Sequence, residues 1–419
     1  MHFGVISPPV SGHLHPISAL GRELQARGHR VTCFQMSDVE EKIRALGIEY
    51  CPIGESDHPP GSLPELLAQL GQLKGLAALR FTIDAAARTS VMVCRDAPAA
   101  MRKAGVEALL VDQVEPAGGA VAEHLGLPFI TVCDALALNR DALVPPPFTA
   151  WKFETSTWAK LRNSIGYAVS DWQTRPITKA VGEYRANWKL PPARSTSEES
   201  FSKIAQICQM PREFDFPREQ LPDCFHYTGP LRRELPDAVP FPWDRLDGRP
   251  LIYASLGTLQ NRREDVFRCI AEACMGLNAQ LVINHVGGLS GTEKLSLPGD
   301  PLVVGYAPQV ELLAHARLTI THAGLNTVLD SLINGVPMVA VPITYEQPAI
   351  ARRVEWTGCG RSMPFAKLNV AALREAVTDV LHTEKYHASA RRIADSIVKA
   401  GGVRRAADLV EAAVCSGSR

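Results

Sequence analysis

The stretch RLTITHAGLNTVLDSLINGVPMVAVPI, from Arg317 to Ile343, decides the fold of this chain. Its first run of apolar and β-branched residues predicts a buried strand, and the small residues Ala323 and Gly324 then open an amphipathic helix. A second apolar run, GVPMVAVPI, follows a short turn and predicts another buried strand. A strand, a helix and a strand joined by short turns are typical of a parallel sheet that is covered by helices on both faces.

The same alternation runs through the first third of the chain and restarts near residue 251. With 419 residues and 46% hydrophobic content, the chain is too long for one comfortable core. Between the two alternating regions, residues 229–250 (GPLRRELPDAVPFPWDRLDGRP) are rich in proline and charge and are typical of a linker. We predict an α/β protein with two doubly wound Rossmann-like domains that face each other across a cleft. The predicted segments are 1–228, the linker 229–250, 251–400 and a final helix in 401–419.

Composition excludes several classes of function. Lys plus Arg number 44 and Asp plus Glu number 44, so the formal net charge is zero and no basic surface for nucleic acid is expected. The ten cysteines form no CxxC pair and no zinc-like spacing, which indicates reduced thiols in the cytoplasm. No apolar run is long enough to span a bilayer, so any membrane contact is expected to be peripheral, at the inner membrane surface.

Two residues of the first predicted domain suit acid–base chemistry. The first strand-to-helix turn, SPPVSGHLHP, lacks the GxGxxG pattern of a dinucleotide site and instead places His13 where the cleft should open. A helix N-terminus disfavours imidazolium, so we expect a neutral His13 able to act as a general base; the alternative is a histidine that caps the helix. Asp112 ends another parallel strand and is the expected partner of His13, with Glu115 as the competing carboxylate.

The second predicted domain carries the pattern of an anion site. In THAGLNTVLD a strand ends at His322, and the helix that follows presents free amides and a dipole that suit a pyrophosphate, unless it is a plain capped helix. The remaining candidates near this helix are Ser255 and Thr258 for phosphate, Gly324, Asn326 and Thr327 in the helix start, Asp330 for ribose hydroxyls, and Glu346 with Gln347 for sugar hydroxyls.

Residues 139–200 depart from the strand–helix alternation. They contain four of the six tryptophans and little strand pattern. We predict irregular helices that line an apolar cleft; the alternative is a packed insertion.

The stretch from Gly305 to Pro348 resembles the nucleotide-sugar signature of the family 1 glycosyltransferases, the UDP-glycosyltransferases of GT-B fold. The resemblance implies a role for each matching position. Tyr306 would stack on the uracil with Gln309 beside the base, His322, Asn326 and Thr327 would contact the diphosphate, Asp330 would stand for the usual ribose-binding glutamate, Glu346 and Gln347 would read the sugar, and Ser255 and Thr258 would match the phosphate-contacting turn.

The resemblance also implies the reaction. His13 and Asp112 match the catalytic pair of the family, the UDP-sugar is a co-substrate rather than a cofactor, and the last helix crosses back to the first domain. With no DxD-type carboxylate pair, no metal is expected. The reaction would invert the anomeric carbon.

At DHPPG, VDQVEPAG, ASLGTLQ and THAGLNTVLD the sequence resembles that of bacterial zeaxanthin glucosyltransferases. This subgroup implies transfer of glucose from UDP-glucose to an apolar carotenoid hydroxyl, which would give a β-glucoside. Three alternatives stay open: the same chemistry on a macrolide, flavonoid or terpenoid with a TDP-sugar, a nucleotide-sugar epimerase, and a non-catalytic helper protein.

Overall fold

The computed structural model describes residues 1–73, 75–192, 197–232, 239–258, 263–287 and 297–417. Within these residues, thirteen strands form two separate sheets in which every pairing is parallel. The linker prediction falls partly on residues 233–238, which lie outside the described residues.

The first sheet has the strand order β3-β2-β1-β4-β5-β6-β7. Its strands are β1 (His2–Ile6), β2 (Arg30–Gln35), β3 (Glu49–Pro52), β4 (Ala108–Asp112), β5 (Phe129–Cys133), β6 (Gln206–Cys208) and β7 (Phe225–Tyr227). The order reverses beside β1, so the carboxyl ends of β1 and β4 meet at the point where an open parallel sheet forms its crevice.

The second sheet has the order β10-β9-β8-β11-β12-β13. Its strands are β8 (Leu251–Ser255), β9 (Gln280–Asn284), β10 (Leu302–Val304), β11 (Ala316–Thr321), β12 (Met338–Ala340) and β13 (Gly360–Ser362). The strand order reverses between β8 and β11, so the turn after β11 also opens at a crevice.

Helices cover both sheets. They are α1 (Ser11–Ala26), α2 (Glu40–Ala45), α3 (Ser62–Gln72), α4 (Gly75–Ala104), α5 (Pro116–Leu125), α6 (Thr157–Asn187), α7 (Glu264–Cys274), α8 (Gln309–Ala314), α9 (Leu325–Ile333), α10 (Gln347–Thr357), α11 (Val370–His382), α12 (Glu384–Ala400) and α13 (Gly402–Gly417). The predicted α/β class is therefore confirmed.

Two details of the sequence-based prediction are wrong. The first helix begins at Ser11, inside the stretch SPPVSGHLHP predicted to be a turn, so His13 lies within the first helical turn and not in the turn before it. Residues 139–200 do not form several irregular helices, because Thr157–Asn187 is one helix of 31 residues. Its N-cap, Ser156, accepts a hydrogen bond from the Ala159 amide, which gives the helix a defined start.

The last helix belongs to the first core, as the predicted fold class requires. Val403, Ala407, Val410 and Val414 of α13 are buried in one cluster with apolar residues of α1 and of the first sheet. Arg27 at the end of α1 reinforces this contact through ion pairs with Asp408 and Glu411 at 2.6 and 2.7 Å, and it donates to the Arg404 carbonyl.

Membrane spans were sought among the described helices. None combines the length and the apolar character that crossing a bilayer requires.

A buried ion pair joins the two domains. Asp215, between β6 and β7, accepts a hydrogen bond from Arg218 at 2.7 Å and one from Arg353 of α10 at 2.8 Å. Burial alone would raise the pKa of Asp215, but the two guanidinium groups outweigh burial and hold that pKa well below its ordinary value. The side chain of Arg353 is 1% exposed, so this pair fixes α10 against the first domain in a dry environment.

Asp215→Ala should strongly destabilise the protein, because it leaves two buried guanidinium groups without a carboxylate. We expect the free energy of unfolding to fall by about 3–5 kcal/mol. Denaturant unfolding measures this loss. Glu40→Ala, which breaks the exposed Glu40–Arg44 pair, is the control and should cause a much smaller change. Equal unfolding midpoints for the two variants would contradict the assignment.

Candidate active site

A histidine–aspartate pair lies at the crevice of the first sheet. His13 Nδ1 is 2.7 Å from Asp112 Oδ2, and the Asp112 carboxylate is fully buried at the end of β4. The other oxygen of Asp112 accepts a hydrogen bond from the Val114 amide at 3.0 Å, which fixes the carboxylate. When the ring is neutral, Nδ1–H donates to Asp112, and Nε2 is left unprotonated and able to take a proton.

The carboxylates around His13 determine the direction of its pKa shift. Burial opposes the imidazolium, but the charge of Asp112 and its hydrogen bond to the ring outweigh burial, and the pKa of His13 is raised. Glu346 of the second domain and Glu115 act in the same direction. The sequence led us to expect a pKa lowered by the helix N-terminus, whereas the surrounding carboxylates shift it upward. The contribution of Glu346 also shows that the cleft brings the two domains together here.

Two further buried carboxyl groups surround the pair. Asp134 directly follows β5, is 2% exposed, and brings one oxygen within 4.8 Å of a His13 ring nitrogen and of an Asp112 oxygen. Burial and the charge of Asp112 raise the pKa of Asp134 well above its ordinary value. Burial and the same neighbour raise the pKa of Glu115 to about 8. Spacing alone would let His13, Asp112 and Asp134 share a metal ion. His13 Nδ1 already contacts Asp112 at 2.7 Å, so sharing of a proton is the other chemistry that this cluster suits.

His322 is packed between two glycines at the crevice of the second sheet. A Cβ on Gly257 would lie 2.6 Å from its Cε1, and one on Gly324 would lie 2.5 Å from its Nε2, so neither position admits a side chain. The ring contacts the backbone carbonyl of Ser255, and burial lowers the pKa of His322 to about 4. His322 is therefore neutral near pH 7 and offers a hydrogen bond rather than a charge.

Asn326, at the start of α9, connects the two domains. Its Nδ2 donates to the Gly12 carbonyl of α1 at 2.8 Å. Its Oδ1 accepts from Gln209 Nε2 at 3.1 Å and from the guanidinium of Arg232 at 3.2 Å. The start of α9 thus lies directly against the helix that carries His13.

Asp330, one turn further along α9, is held on both oxygens. Arg232 Nε donates to its Oδ1 at 2.6 Å, and Gln309 Nε2 donates to its Oδ2 at 2.6 Å. The Tyr253 hydroxyl donates in turn to Gln309 Oε1 at 2.9 Å. Gln309, which is expected beside a base, therefore also holds the Asp330 carboxylate.

The segment before α10 is held in place by the side chain of Gln347, the first residue of that helix. Gln347 Oε1 accepts hydrogen bonds from the amides of Ile343 and Thr344, both at 2.9 Å, and Gln347 is buried. Glu346 caps the same helix and faces His13 across the cleft.

The other predicted donor residues lie in the second domain. Tyr306 is 62% exposed, which leaves its ring available to a stacking partner. Ser255 and Thr327 are buried, and Thr258 is exposed at the turn after β8. The roles proposed for all these side chains stay predictions.

Sequence reasoning missed Asp134, Gln209 and Arg232. Asp134 carried a usable signal, because it follows a predicted parallel strand just as Asp112 does. Arg232 lies in the segment interpreted as a linker, and nothing in the sequence links it to Asp330, which is 98 positions away.

Comparisons with known proteins were made for the whole chain. The family of UDP-glucoronosyl and UDP-glucosyl transferases matches residues 71–399. The chain belongs to this family. The zeaxanthin glucosyltransferase of Pantoea ananas is 37% identical over 99% of this chain and 96% of that protein. The zeaxanthin glucosyltransferase of Pseudescherichia vulneris is 35% identical over 99% of this chain and 98% of that protein.

Solved structures support the same fold. The calicheamicin glycosyltransferase CalG4 superimposes with a TM-score of 0.77 at 23% identity, over 100% of this chain and 99% of that one. The predicted GT-B arrangement of two Rossmann-like domains is confirmed. The protein is a glycosyltransferase, which disfavours the epimerase and the non-catalytic helper.

Titration of the His13 ring by NMR tests the geometry of the pair. We expect its pKa to lie above the ordinary value of 6.5, because the neighbouring carboxylates stabilise the imidazolium. Asp112→Asn removes the largest favourable charge, so the pKa should fall. Gln25→Glu, on the far end of α1, is the control and should leave it in place. A His13 pKa that does not respond to Asp112→Asn would contradict the contact.

Proposed function

We propose that this glycosyltransferase moves glucose from UDP-glucose to a hydroxyl of a lipophilic acceptor, a carotenoid of zeaxanthin type, with inversion of the anomeric carbon. The observation that carries the proposal is the 2.7 Å contact between His13 Nδ1 and Asp112 Oδ2 at the cleft. This contact leaves Nε2 as the proton acceptor, which is what deprotonation of a hydroxyl needs.

In the proposed reaction His13 Nε2 takes the proton of the acceptor hydroxyl. The oxygen forms a bond to the anomeric carbon from the face opposite UDP, and the bond between that carbon and the diphosphate oxygen breaks. The electron pair of that bond leaves with UDP. Asp112 stabilises the imidazolium that forms, as the carboxylate of a catalytic triad does. A single displacement of this kind turns an α-linked donor into a β-glucoside.

The diphosphate would be stabilised by the second domain. The amides at the start of α9 and its dipole favour an anion, and Gly324 lets the backbone come close. Arg232 adds a positive charge at the same helix turn, where it donates to the Asn326 carbonyl at 3.2 Å. Because the chain supplies these groups itself, we propose that no metal is required, and EDTA should leave the rate unchanged.

The choice of acceptor rests on similarity along nearly the whole chain to two zeaxanthin glucosyltransferases. A carotenoid is long and apolar and is dissolved in a bilayer. We therefore also propose a cytoplasmic enzyme that works at the inner surface of the membrane. The family description supports a UDP-sugar as donor over a TDP-sugar.

Release of UDP from UDP-glucose tests this function. The assay is run with zeaxanthin in detergent and with a soluble phenol, for the wild type and His13→Ala. We expect release with zeaxanthin, a turnover lower by roughly 10²–10⁴-fold in His13→Ala because the base is lost, and UDP-glucose binding largely retained. His124→Ala, which removes a histidine on α5, is the matched control and should keep the wild-type rate.

Each outcome has a distinct meaning. Release only with the phenol would keep the mechanism and replace the carotenoid by a soluble flavonoid, macrolide or terpenoid. Near-normal turnover of His13→Ala would overturn the assignment of the base. Release only from a TDP-sugar would overturn the donor, and an α-glucoside product would overturn inversion.

A further inference from the structure

Five large apolar side chains on the outer face of α6 lie in solvent. We name them the α6 stripe, and their exposed fractions are 66% for Trp158, 53% for Leu161, 53% for Ile165, 47% for Val169 and 63% for Trp172. Their spacing of three or four residues places them on one face of the helix. A helix of a globular domain normally turns such a face toward the core, so the outward direction of this one calls for an explanation.

The inner face of α6 is already fixed to the first domain. Ala159, Asn163 and Tyr167 are buried on it, and α6 packs along α4. Asn163 Nδ2 donates to the Ala142 carbonyl and the Tyr167 hydroxyl donates to the Val144 carbonyl, each at 3.0 Å. The helix therefore cannot turn the α6 stripe inward without breaking these contacts. Both carbonyls belong to residues 134–156, a segment that begins at Asp134 beside the candidate base.

The exposed charges within the α6 stripe's own stretch of helix have one sign. Between Thr157 and Lys179, the exposed positions include Lys160, Arg175 and Lys179 and no carboxylate. Asp171 is half-buried and paired with Arg140. Two exposed carboxylates lie just outside this stretch: Glu154, 4.0 Å from Arg162, and Glu183, 4.0 Å from Lys179. Exposed tryptophans and aliphatic residues flanked by Lys and Arg are the composition of helices that lie in the interface of an anionic membrane.

A second copy of the chain fits this face less well. In a symmetric dimer the α6 stripe would meet itself, and Lys160, Arg175 and Lys179 of one copy would be brought toward the same cations of the other. Anionic lipid headgroups satisfy both features, since they neutralise the cations while the acyl region receives the apolar side chains.

We propose that the α6 stripe and its flanking cations dock the enzyme on the surface of an anionic lipid bilayer. This inference deepens the proposed function, on which it rests for the need to reach an apolar acceptor. The docked helix would face the bilayer. The segment on its inner side, residues 134–156, begins at Asp134, which lies beside His13 and Asp112.

Co-sedimentation with vesicles tests the surface in the absence of donor and acceptor. We expect the wild type to bind vesicles of phosphatidylglycerol and phosphatidylethanolamine, and to bind phosphatidylcholine vesicles less. Trp158→Glu/Trp172→Glu should lower the binding constant at least tenfold, because it places charge in the apolar interface. Val398→Glu is the matched control, since Val398 is 80% exposed on α12, away from α6. Lys160→Gln/Lys179→Gln should weaken binding, with the larger effect at low salt.

The outcomes separate this inference from the proposed function. Wild type that binds no vesicle, or a double tryptophan variant that binds as the wild type does, would overturn the docking surface. A wild-type dimer that the tryptophan variant converts to a monomer would assign the face to a second copy instead. UDP release with zeaxanthin in detergent should be the same for wild type and variant. Failure of that assay in both, with vesicle binding intact, would overturn the acceptor and not the surface.

An independent observation concerns Asp134. Both of its side-chain oxygens are buried, and no group among the described residues donates a hydrogen bond to either of them. The groups that face it are Asp112 and His13 on one side and the positive charge of Arg232 on the other. Two buried carboxylates this close cannot both ionise at low cost, as in paired aspartates that share one proton.

We infer that Asp134 is a positioning residue that carries a proton and gives it as a hydrogen bond to Asp112, so that Asp112 keeps the single negative charge beside His13. Asp134→Asn preserves a neutral donor of the same shape, whereas Asp134→Leu keeps the branching at Cγ and removes the donor. We expect Asn to keep kcat within about threefold and Leu to lower it at least tenfold, with the KM for UDP-glucose unchanged in both.

The pH profile separates positioning from a merely structural role. If Asp134 is neutral, Asp134→Asn removes no charge, and the acidic limb that reports His13 should stay in place. An ionised Asp134 would instead let that limb move to lower pH in Asp134→Asn, as it should in Asp112→Asn, and this result would overturn the inference. Equal activity of the Asn and Leu variants would overturn it as well. NMR titration of His13 gives the same readout if no acceptor is turned over.

Discussion

The cleft of this glycosyltransferase depends on one side chain that forms hydrogen bonds with both domains. Asn326 stands at the start of α9 and donates to the Gly12 carbonyl, one residue before His13, while it accepts from Gln209 and Arg232. A single carboxamide thus joins the helix start that suits a diphosphate to the helix turn that carries the candidate base. The in-line displacement proposed above needs the distance between them to be fixed, because attacking and leaving groups must stand on opposite sides of one carbon.

Charge around this cleft is arranged by burial as much as by residue type. His13 has its pKa raised by carboxylates, whereas the more deeply buried His322 has its pKa lowered to about 4 because no carboxylate offsets its burial. The pKa values of these two histidines, each at the crevice of a parallel sheet, are therefore shifted in opposite directions by their surroundings. The positive charge beside Asn326 comes from Arg232.

The sequence predicted those parts of the molecule that follow from local pattern. Parallel strands and their turns were readable from apolar runs, and Asp112 could be placed beside His13 because carboxyl ends of parallel strands share one edge. The contacts of Arg232 were not readable, because they join residues nearly a hundred positions apart across a domain boundary. The direction of Trp158 and Trp172 was not readable either. A stripe of apolar residues on a helix predicts burial, and only the packing of α6 on α4 shows that this one faces outward.

The path of α13 has a consequence for how the chain acquires its structure. Val403, Val410 and Val414 complete a core whose other members include residues of β1 and α1, which come much earlier in the sequence. During synthesis the first sheet is made well before the helix that covers it. An apolar face on α1 is therefore uncovered until α13 has been made, and the second domain can fold before the first is closed. The first domain is therefore the first to be synthesised and the last to complete its core.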